Sequence, residues 1–156
     1  MKSRGDGGDG IGTPFQRSLG LIWHPGPASG ELAVTMALCP ELCGPAGSLE
    51  GGVVSTLADV AGASACAMAL GHGLVATEHI TVSFLAPGRV GPVVAAAQVL
   101  RAGRRDAVAE VRVTDTGQDD RLLAVAHVTV RALEARTPAG DGAVSAVHAH
   151  DREVRP

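Results

Sequence analysis

Residues 50–71 read EGGVVSTLADVAGASACAMALG, and this stretch decides the fold. Beyond its first residue it carries a single charge, at Asp59, and glycines stand near both of its ends. We predict a helix from about Gly52 to Leu70, stopped by Gly71 and Gly73. Because this helix is apolar nearly all round, we expect it to be buried on every side.

The same stretch is about as long as a membrane-spanning helix. Asp59 in its middle would cost about 2.5–3.5 kcal/mol at the centre of a bilayer. Several glycines and serines interrupt the stretch, and no lysine or arginine flanks it. We therefore interpret it as the core helix of a soluble domain and expect no membrane partner.

Segments with the two-residue period of β-strands lie on both sides of this helix. One strand is predicted before the helix and four after it, in residues 31–38, 76–85, 93–100, 107–114 and 122–133. The fourth segment is the clearest, since small apolar residues alternate there with Glu110, Arg112 and Thr114. Residues 14–21 are predicted to form a short helix or turn, and residues 41–49 a loop.

Short connections link the last four strands. Gly103 and Gly117 turn two hairpins, and Pro87-Gly88 ends the first of the four strands. Connections of hairpin length imply antiparallel neighbours. A single helix that is apolar all round must be wrapped by such a sheet, with a partner subunit covering its remaining face. This arrangement is the hotdog fold, an α+β class in which an antiparallel sheet wraps one long central helix.

Length and composition bound the domain organisation. The chain has 156 residues, enough for one domain with a substantial core. We place this domain at residues 13–134 and predict disordered tails at residues 1–12 and 135–156, because both are rich in Gly, Asp, Ala and Pro without periodicity. Hydrophobic residues make up 46% of the chain but aromatic residues only 2%, so the core must consist of Ala, Val and Leu.

Charge and cysteine content exclude several classes of function. The net charge is −3 with acidic and basic residues mixed, so we expect no nucleic-acid partner. The N-terminal segment is polar and glycine-rich where a signal peptide needs an apolar region, which favours a cytoplasmic protein. Cys39, Cys43 and Cys66 form neither a disulfide framework nor a set with metal-ligand spacing, so we expect no metal and no cofactor.

Asp59 and the glycine pair are the chemically informative residues of the helix. A lone carboxylate in the middle of an apolar helix is costly unless it is paired, hydrogen-bonded or functional. Asp59 lies too far from the helix start to act as a cap, so we interpret it as a catalytic base in a wet cleft. The N–H groups of Gly51 and Gly52 lack intrahelical partners and lie at the positive end of the helix dipole. Such groups stabilise a carbonyl oxygen that gains negative charge.

Three stretches, residues 50–59, Thr77 with VSFLAPG at 82–88, and RAGRR at 101–105, resemble the motifs of a known family in order and spacing. The family is the hotdog thioesterases of the phenylacetate-pathway (PaaI-like) type. Its helix motif opens with His-Gly-Gly and has an acidic residue eight positions after the first Gly. Its next strand has a Ser or Thr followed by a Phe/Tyr-x-x-Pro ending, and a basic hairpin follows. The resemblance covers residues of about 31–133.

This resemblance implies an acyl-CoA thioesterase that hydrolyses a small or medium acyl-CoA, aromatic ones included, to the free acid and CoA. Asp59 would be the base or nucleophile that activates water, and Thr77 would help to hold the water. The Gly51 N–H would polarise the thioester carbonyl. In the family the site forms between two subunits, so Gly51 and Asp59 would come from opposite chains of a homodimer, or of a homotetramer of two dimers.

The resemblance also locates the CoA moiety along the strand ending and the basic hairpin, where guanidinium groups suit phosphates. The residues implied to bind substrate or CoA are Gly52, Phe84, Pro87, Gly88, Arg89, Arg101, Gly103, Arg104, Arg105 and Arg131.

Two substitutions depart from the family pattern and leave a second hypothesis open. Glu50 stands where the family has His, and Gly44 stands where Asn is common. Both positions shape the oxyanion side, so Glu50 stays among the candidate catalytic residues. Thr77 is also out of phase with Ile80, so it needs a bulge or twist to point towards Asp59. The alternative hypothesis is a non-hydrolytic hotdog protein that binds acyl-CoA or acts as a sensor.

Overall fold

One long helix and six antiparallel strands make up most of the described chain. The structure, a computed structural model, describes residues 12–26, 28 and 30–134. The tails predicted to be disordered therefore lie outside the described residues, except for Gly12.

The bounds of the predicted helix and of the five predicted strands agree with the structure to within two residues. The helices are α1 (Pro14–Ser18) and α2 (Gly51–Leu70), with a 3-10 helix at Pro40–Leu42. The strands are β1 (Ile22–Pro25), β2 (Glu31–Met36), β3 (Val75–Phe84), β4 (Val93–Ala102), β5 (Asp106–Asp115) and β6 (Arg121–Ala132).

Local backbone conformation sets both ends of α2. Glu50 is the N-cap residue and has an extended backbone, with φ −64° and ψ 141°. At the other end Gly71 takes the left-handed conformation, with φ 66°, and its N–H bonds to the carbonyls of Ala67 and Met68. Glycine adopts this conformation without the steric cost that a Cβ brings. The predicted stop at Gly71 is thus confirmed.

The strands form one sheet in the order β1-β2-β4-β5-β6-β3, and every neighbouring pair is antiparallel. β1 is absent from the prediction, because four residues that include Trp23 and Pro25 are too few to show a period. This strand forms through its pairing with β2, where Ile22 lies opposite Thr35.

The prediction that the last four strands are all hairpin neighbours is wrong for β3 and β4. β3 pairs with β6 and β4 pairs with β2, so residues 85–92 cross from one side of the sheet to the other. The N–H groups of Leu85 and Ala86 both donate to the Leu123 carbonyl, at 2.8 and 3.2 Å, which draws the chain towards β6 as it leaves β3. The hairpins at Gly103 and Gly117 are confirmed.

Small side chains let α2 lie close against the concave face of the sheet, as the composition predicts. The buried α2 residues are Val54, Leu57, Ala58, Val60, Ala61, Gly62, Ala65 and Cys66. The approach is closest at Gly62, where an added Cβ would lie 2.7 Å from Val128 Cγ2. The fold is therefore the predicted hotdog arrangement.

Within the single chain α2 is buried on one side, and the remaining face is the one predicted to meet a partner subunit. The sheet covers one side of the helix and leaves a partly exposed strip formed by Gly52, Ser55, Thr56, Asp59 and Ala63. By length and hydropathy α2 is the one described helix that could cross a membrane, and 44% of its apolar window is buried within the chain. The buried residues of this window pack against the sheet.

Candidate active site

Asp59 and Thr77 meet on the exposed side of α2. The Thr77 hydroxyl donates a hydrogen bond to Asp59 Oδ1 at 2.8 Å. The pairing of β3 with β6 shifts register between Thr77 and His79, so a β-bulge lies at this point. The extra residue turns Thr77 to the face of Ile80, which packs against the core. Of the two possibilities that the sequence left, a bulge or a twist, the structure has the bulge.

The Asp59 carboxylate keeps one oxygen free of protein partners within the described residues. Its hydrogen bond there is the one from Thr77. The nearby hydroxyls of Ser55 and Thr56 donate instead to the backbone carbonyls of Gly51 and Gly52, at 2.8 and 2.9 Å. The side chain is partly exposed on the helix strip. A carboxylate held by one oxygen and open at the other can accept a proton from water.

The start of α2 presents free backbone donors. The N–H groups of Val53 and Val54 bond to the Glu50 carbonyl, at 3.0 and 3.1 Å. Those of Gly51 and Gly52 have no acceptor among the described residues, and both glycines are exposed. They are available to a ligand oxygen at the positive end of the helix dipole.

Phe84, the last residue of β3, lies over the start of α2. An added Cβ at Gly51 would lie 3.3 Å from Phe84 Cζ, which is tighter than an ordinary van der Waals contact. A residue larger than glycine at position 51 would therefore press on the ring. The sequence placed both residues at the site, and the structure brings them together.

Glu50 and Gly44, the two substituted positions, are neighbours. An added Cβ at Gly44 would lie 3.4 Å from Glu50 Cγ and 3.7 Å from Glu50 Oε1. The Glu50 side chain thus borders the space that a larger residue at position 44 would fill. It makes no capping hydrogen bond to the helix and is exposed.

The predicted substrate residues near the start of α2 have distinct surroundings. Pro87 and Arg89 are exposed, but Gly88 is buried. The Gly88 carbonyl accepts the Leu49 N–H at 2.9 Å, and an added Cβ at Gly88 would lie 2.7 Å from Leu123 Cδ1. Gly88 therefore has a packing role, independent of any ligand.

Within one chain the basic hairpin lies at the opposite end of the sheet from Phe84. Phe84 pairs with Ala124, whereas Asp106 beside the hairpin pairs with Arg131. Seven residues of β6 separate these two levels, a distance of about 23 Å. A single chain does not bring the two predicted parts of the CoA site together.

The hairpin arginines differ in their partners. Arg105 forms an ion pair with Glu134 at 2.8 Å, and Arg131 lies between Glu78 and Asp106, at 3.0 and 3.2 Å. Arg101 and Arg104 are exposed and have no carboxylate partner in the described part of the chain. Together with Gly103 they line a cavity of about 290 Å³, which makes them the arginines of this set that are free to meet a phosphate.

Asp115 holds the backbone next to the predicted substrate residues 87–89 and is missing from the sequence prediction. It is fully buried, and its carboxylate accepts the N–H groups of Arg89, Val90 and Gly91 at 2.8, 3.0 and 2.7 Å. Burial alone would raise the pKa of Asp115, but these backbone donors and that of Gly117 outweigh it and lower the pKa. The sequence did contain a signal for it. Buried and exposed positions alternate along β5, so residue 115 faces inward as Val113 does.

The three cysteines are free thiols. Burial raises the pKa of the Cys66 thiol to about 11, so it is a poor nucleophile near neutral pH. Cys39 and Cys43 are half-buried free thiols on either side of the 3-10 helix. No group of three metal-binding side chains exists in the described residues.

A curved antiparallel sheet around one long helix, with a carboxylate on the open side of that helix and free N–H groups at its start, defines a hotdog protein. The sequence profile of the thioesterase superfamily matches residues 46–122. Comparison with curated proteins gives no match.

Solved structures of thioesterases share the fold. A Bordetella protein of the thioesterase superfamily is 31% identical, with 76% of this chain and 89% of that chain covered and a TM-score of 0.68. The PaaI protein of the E. coli phenylacetic acid degradation operon is 25% identical, with coverage of 77% and 84% and a TM-score of 0.69. A Haemophilus influenzae thioesterase is 26% identical, with coverage of 76% and 82% and a TM-score of 0.69.

The chain therefore belongs to the thioesterase superfamily and is a thioester hydrolase of the hotdog fold. The resemblance to PaaI-like thioesterases that its motifs predict is confirmed.

Proposed function

We propose that this protein hydrolyses small or medium acyl-CoA thioesters, aromatic ones included, with Asp59 as the base or nucleophile. The observation that carries the proposal is the hydrogen bond from Thr77 to Asp59 on the exposed strip of α2. It holds a carboxylate in a fixed orientation where a substrate can approach. The bond lies at the surface, outside the packed core of the domain.

The chemistry needs one base and one oxyanion donor. Asp59 takes a proton from water as the water attacks the thioester carbonyl carbon, or attacks that carbon itself before water releases the acyl group. The Gly51 N–H donates to the carbonyl oxygen as it gains negative charge. The C–S bond then breaks, and CoA leaves as a thiolate that takes up a proton, since thiol pKa values lie near about 8.5.

Distance supports a site shared between two subunits. Gly51 and Asp59 are eight residues apart on one helix, which is about 12 Å. One carbonyl group cannot contact both at hydrogen-bonding distance. The site is complete only when Asp59 of one chain meets Gly51 of the partner subunit.

β3 provides the edge along which two subunits can meet. Among the described strands it is the last of the sheet and pairs on one side only. Asp59 is fixed beside Thr77, near the start of β3, and Gly51 lies under Phe84 at its end. Antiparallel pairing of two β3 strands, with Thr77 opposite Phe84 of the partner subunit, brings each Asp59 to the partner's Gly51.

The same pairing reunites the two parts of the CoA site. Antiparallel β3 strands place the basic hairpin of one subunit at the same end as residues 84–89 of the other. Arg101 and Arg104 could then contact CoA phosphates while the thioester lies beside Phe84. Phe84 and the basic hairpin are about 23 Å apart within one chain. This separation supports the arrangement, because the two parts then meet only between subunits.

Steady-state release of CoA from a panel of acyl-CoA substrates tests the proposal, with Asp59→Asn beside the wild type. We expect Asp59→Asn to lower kcat at least about a hundredfold, because general-base catalysis contributes about 10²–10⁴. Asn keeps the size of the side chain, so the Tm should change little. Unchanged turnover in Asp59→Asn would disprove the mechanism. Acyl-CoA binding without turnover by the wild type would favour the alternative of a binding or sensor protein, in which the Glu50 carboxylate blocks oxyanion formation.

A further inference from the structure

Residues 84–91 contact the start of α2 at two points. Phe84 covers Gly51, where an added Cβ would be 3.3 Å from the ring. Four residues later, the Gly88 carbonyl accepts the N–H of Leu49 at 2.9 Å. Leu49 is two residues from Gly51, so this bond sets where the chain enters the helix.

The far end of the same segment is held by Asp115. Its Oδ2 accepts the N–H groups of Arg89 and Val90, and its Oδ1 accepts that of Gly91. All three bonds are between 2.7 and 3.0 Å, and Asp115 is fully buried at the end of β5. A carboxylate can accept three donors from one turn of chain, whereas an amide would turn its own N–H₂ towards one of them.

Hydrogen bonds therefore connect the Asp115 carboxylate to the backbone of residues 89–91 and the Gly88 carbonyl to Leu49, and the peptide chain joins these bonds to each other and to the start of α2. The residues along this path have little room to move. Gly88 is buried against Leu123, where an added Cβ would be 2.7 Å from Leu123 Cδ1. A shift of residues 89–91 must therefore be passed on to Leu49.

We propose that Asp115 is a positioning residue that fixes the Gly51 N–H, the oxyanion donor, through residues 88–91 and Leu49. This inference rests on the proposed function, because it assigns Asp115 a part in the same reaction. Asp115 does not touch the substrate. A misplacement of about 1 Å at a reacting centre can cost about a hundredfold in rate, so a loosened anchor would act mainly on kcat.

Asp115→Asn tests the role in the full-length protein. We expect kcat for acyl-CoA hydrolysis to fall about tenfold or more, with a smaller change in KM, because the loss falls on the transition state. Leu32→Ala is the matched control, since it destabilises the core from β2 without touching this path. At a temperature below both Tm values, the control should keep the wild-type kcat. An equal loss of kcat in both variants, or none in Asp115→Asn, would overturn the proposal.

Amide hydrogen exchange supplies a readout that does not depend on activity. Asp115→Asn should speed exchange at Leu49 as well as at residues 89–91, and unchanged exchange at Leu49 would refute the positioning role alone. Wild-type protein without turnover would instead refute the proposed function. If Asp115→Asn fails to fold, Gly117→Ala replaces it. An added Cβ there would meet the Gly91 carbonyl oxygen and displace that residue with the Asp115 carboxylate intact, so the same changes are expected.

Discussion

Thr77 holds one oxygen of the Asp59 carboxylate and leaves the other to face water. Thr77→Val removes the donor at nearly constant volume. We expect kcat/KM to fall roughly ten- to hundredfold, since a hydrogen bond to a charged group contributes about 1.5–3 kcal/mol. Thr77→Ser keeps the hydroxyl and should keep most of the activity. Steady-state release of CoA measures both variants, and equal losses would show that the hydroxyl is not what matters.

The lowered pKa of Asp115 makes a prediction about stability and pH. A carboxyl group with a depressed folded-state pKa stabilises the fold above its unfolded-state pKa of about 3.9, and this contribution is lost as the pH falls through the folded-state value. Asp115→Asn lacks the contribution at every pH. Its deficit in Tm should therefore be largest above about pH 5 and shrink below about pH 4. Thermal unfolding of the wild type and Asp115→Asn across this pH range measures the two Tm values. A difference in Tm that does not change with pH would contradict the prediction.

The sequence identified candidate site residues whose chemistry differs from that of their neighbours in the chain. It could not identify interactions between residues that are far apart in the chain. Asp59 stands out in an apolar helix, and Gly51 stands at a helix end, so each is visible from sequence. The ion pairs of Arg131 depend on Glu78 and Asp106, which lie on two other strands. No local sequence pattern predicts contacts between three strands, so the sequence could not show that Arg131 already forms ion pairs.

At the scale of elements, local sequence signals predicted where each helix and strand begins and ends. The order of the strands in the sheet depends instead on pairing between distant residues. Gly71 and the alternation in β5 mark their elements within the local sequence. β1 depends on β2 for its formation, and the partner of β3 is β6, more than forty residues later in the chain. The short connection after β3 predicted that β3 pairs with the next strand, β4. Backbone hydrogen bonds at Leu85 and Ala86 favour β6 instead.

The contact between α2 and the sheet leaves no room for added volume at Gly62. A Cβ there would lie 2.7 Å from Val128 Cγ2 and 3.1 Å from Val111 Cγ2. Overpacking costs about 1–3 kcal/mol, which exceeds the gain of about 1 kcal/mol from replacing glycine within a helix. We expect Gly62→Ala to lower the Tm. Gly52→Ala is the control, since nothing lies within 4 Å of an added Cβ there, and a Gly62→Ala protein as stable as this control would contradict the close packing.

At the scale of the whole molecule, the proposed function divides each site between two chains, so that one chain would hold halves of two different sites. The carboxylate with Thr77 and the proposed oxyanion donor with Phe84 lie at separate places along β3, and the basic hairpin lies beyond the first of them. The exposed strip of α2 runs between the halves. Sequence patterns report which residues share a face of one chain, but they do not report how two copies are arranged, so the shared site is a prediction that rests on the family resemblance.

A mixing experiment tests the shared site directly. Asp59→Asn removes the base. Gly51→Pro removes the proposed donor at the first helical position, where the backbone conformation suits proline, and its ring also presses on Phe84 of the same chain. Each variant alone should have little activity. After subunit exchange at equal concentrations, half of the dimers contain one chain of each kind. One site in such a dimer carries both substitutions and the other carries neither, so activity should recover to about a quarter of the wild-type value.

The recovery depends on Asp59 and Gly51 acting from opposite chains. If both acted from the same chain, every site in a mixed dimer would keep one defect, and mixing would restore nothing. Mixing either variant with a chain that carries both substitutions is the matched control, because no intact site can form in that pair. Recovery in the first mixture and none in the second would establish that the thioester lies between the Asp59 carboxylate of one subunit and the Gly51 N–H of the other.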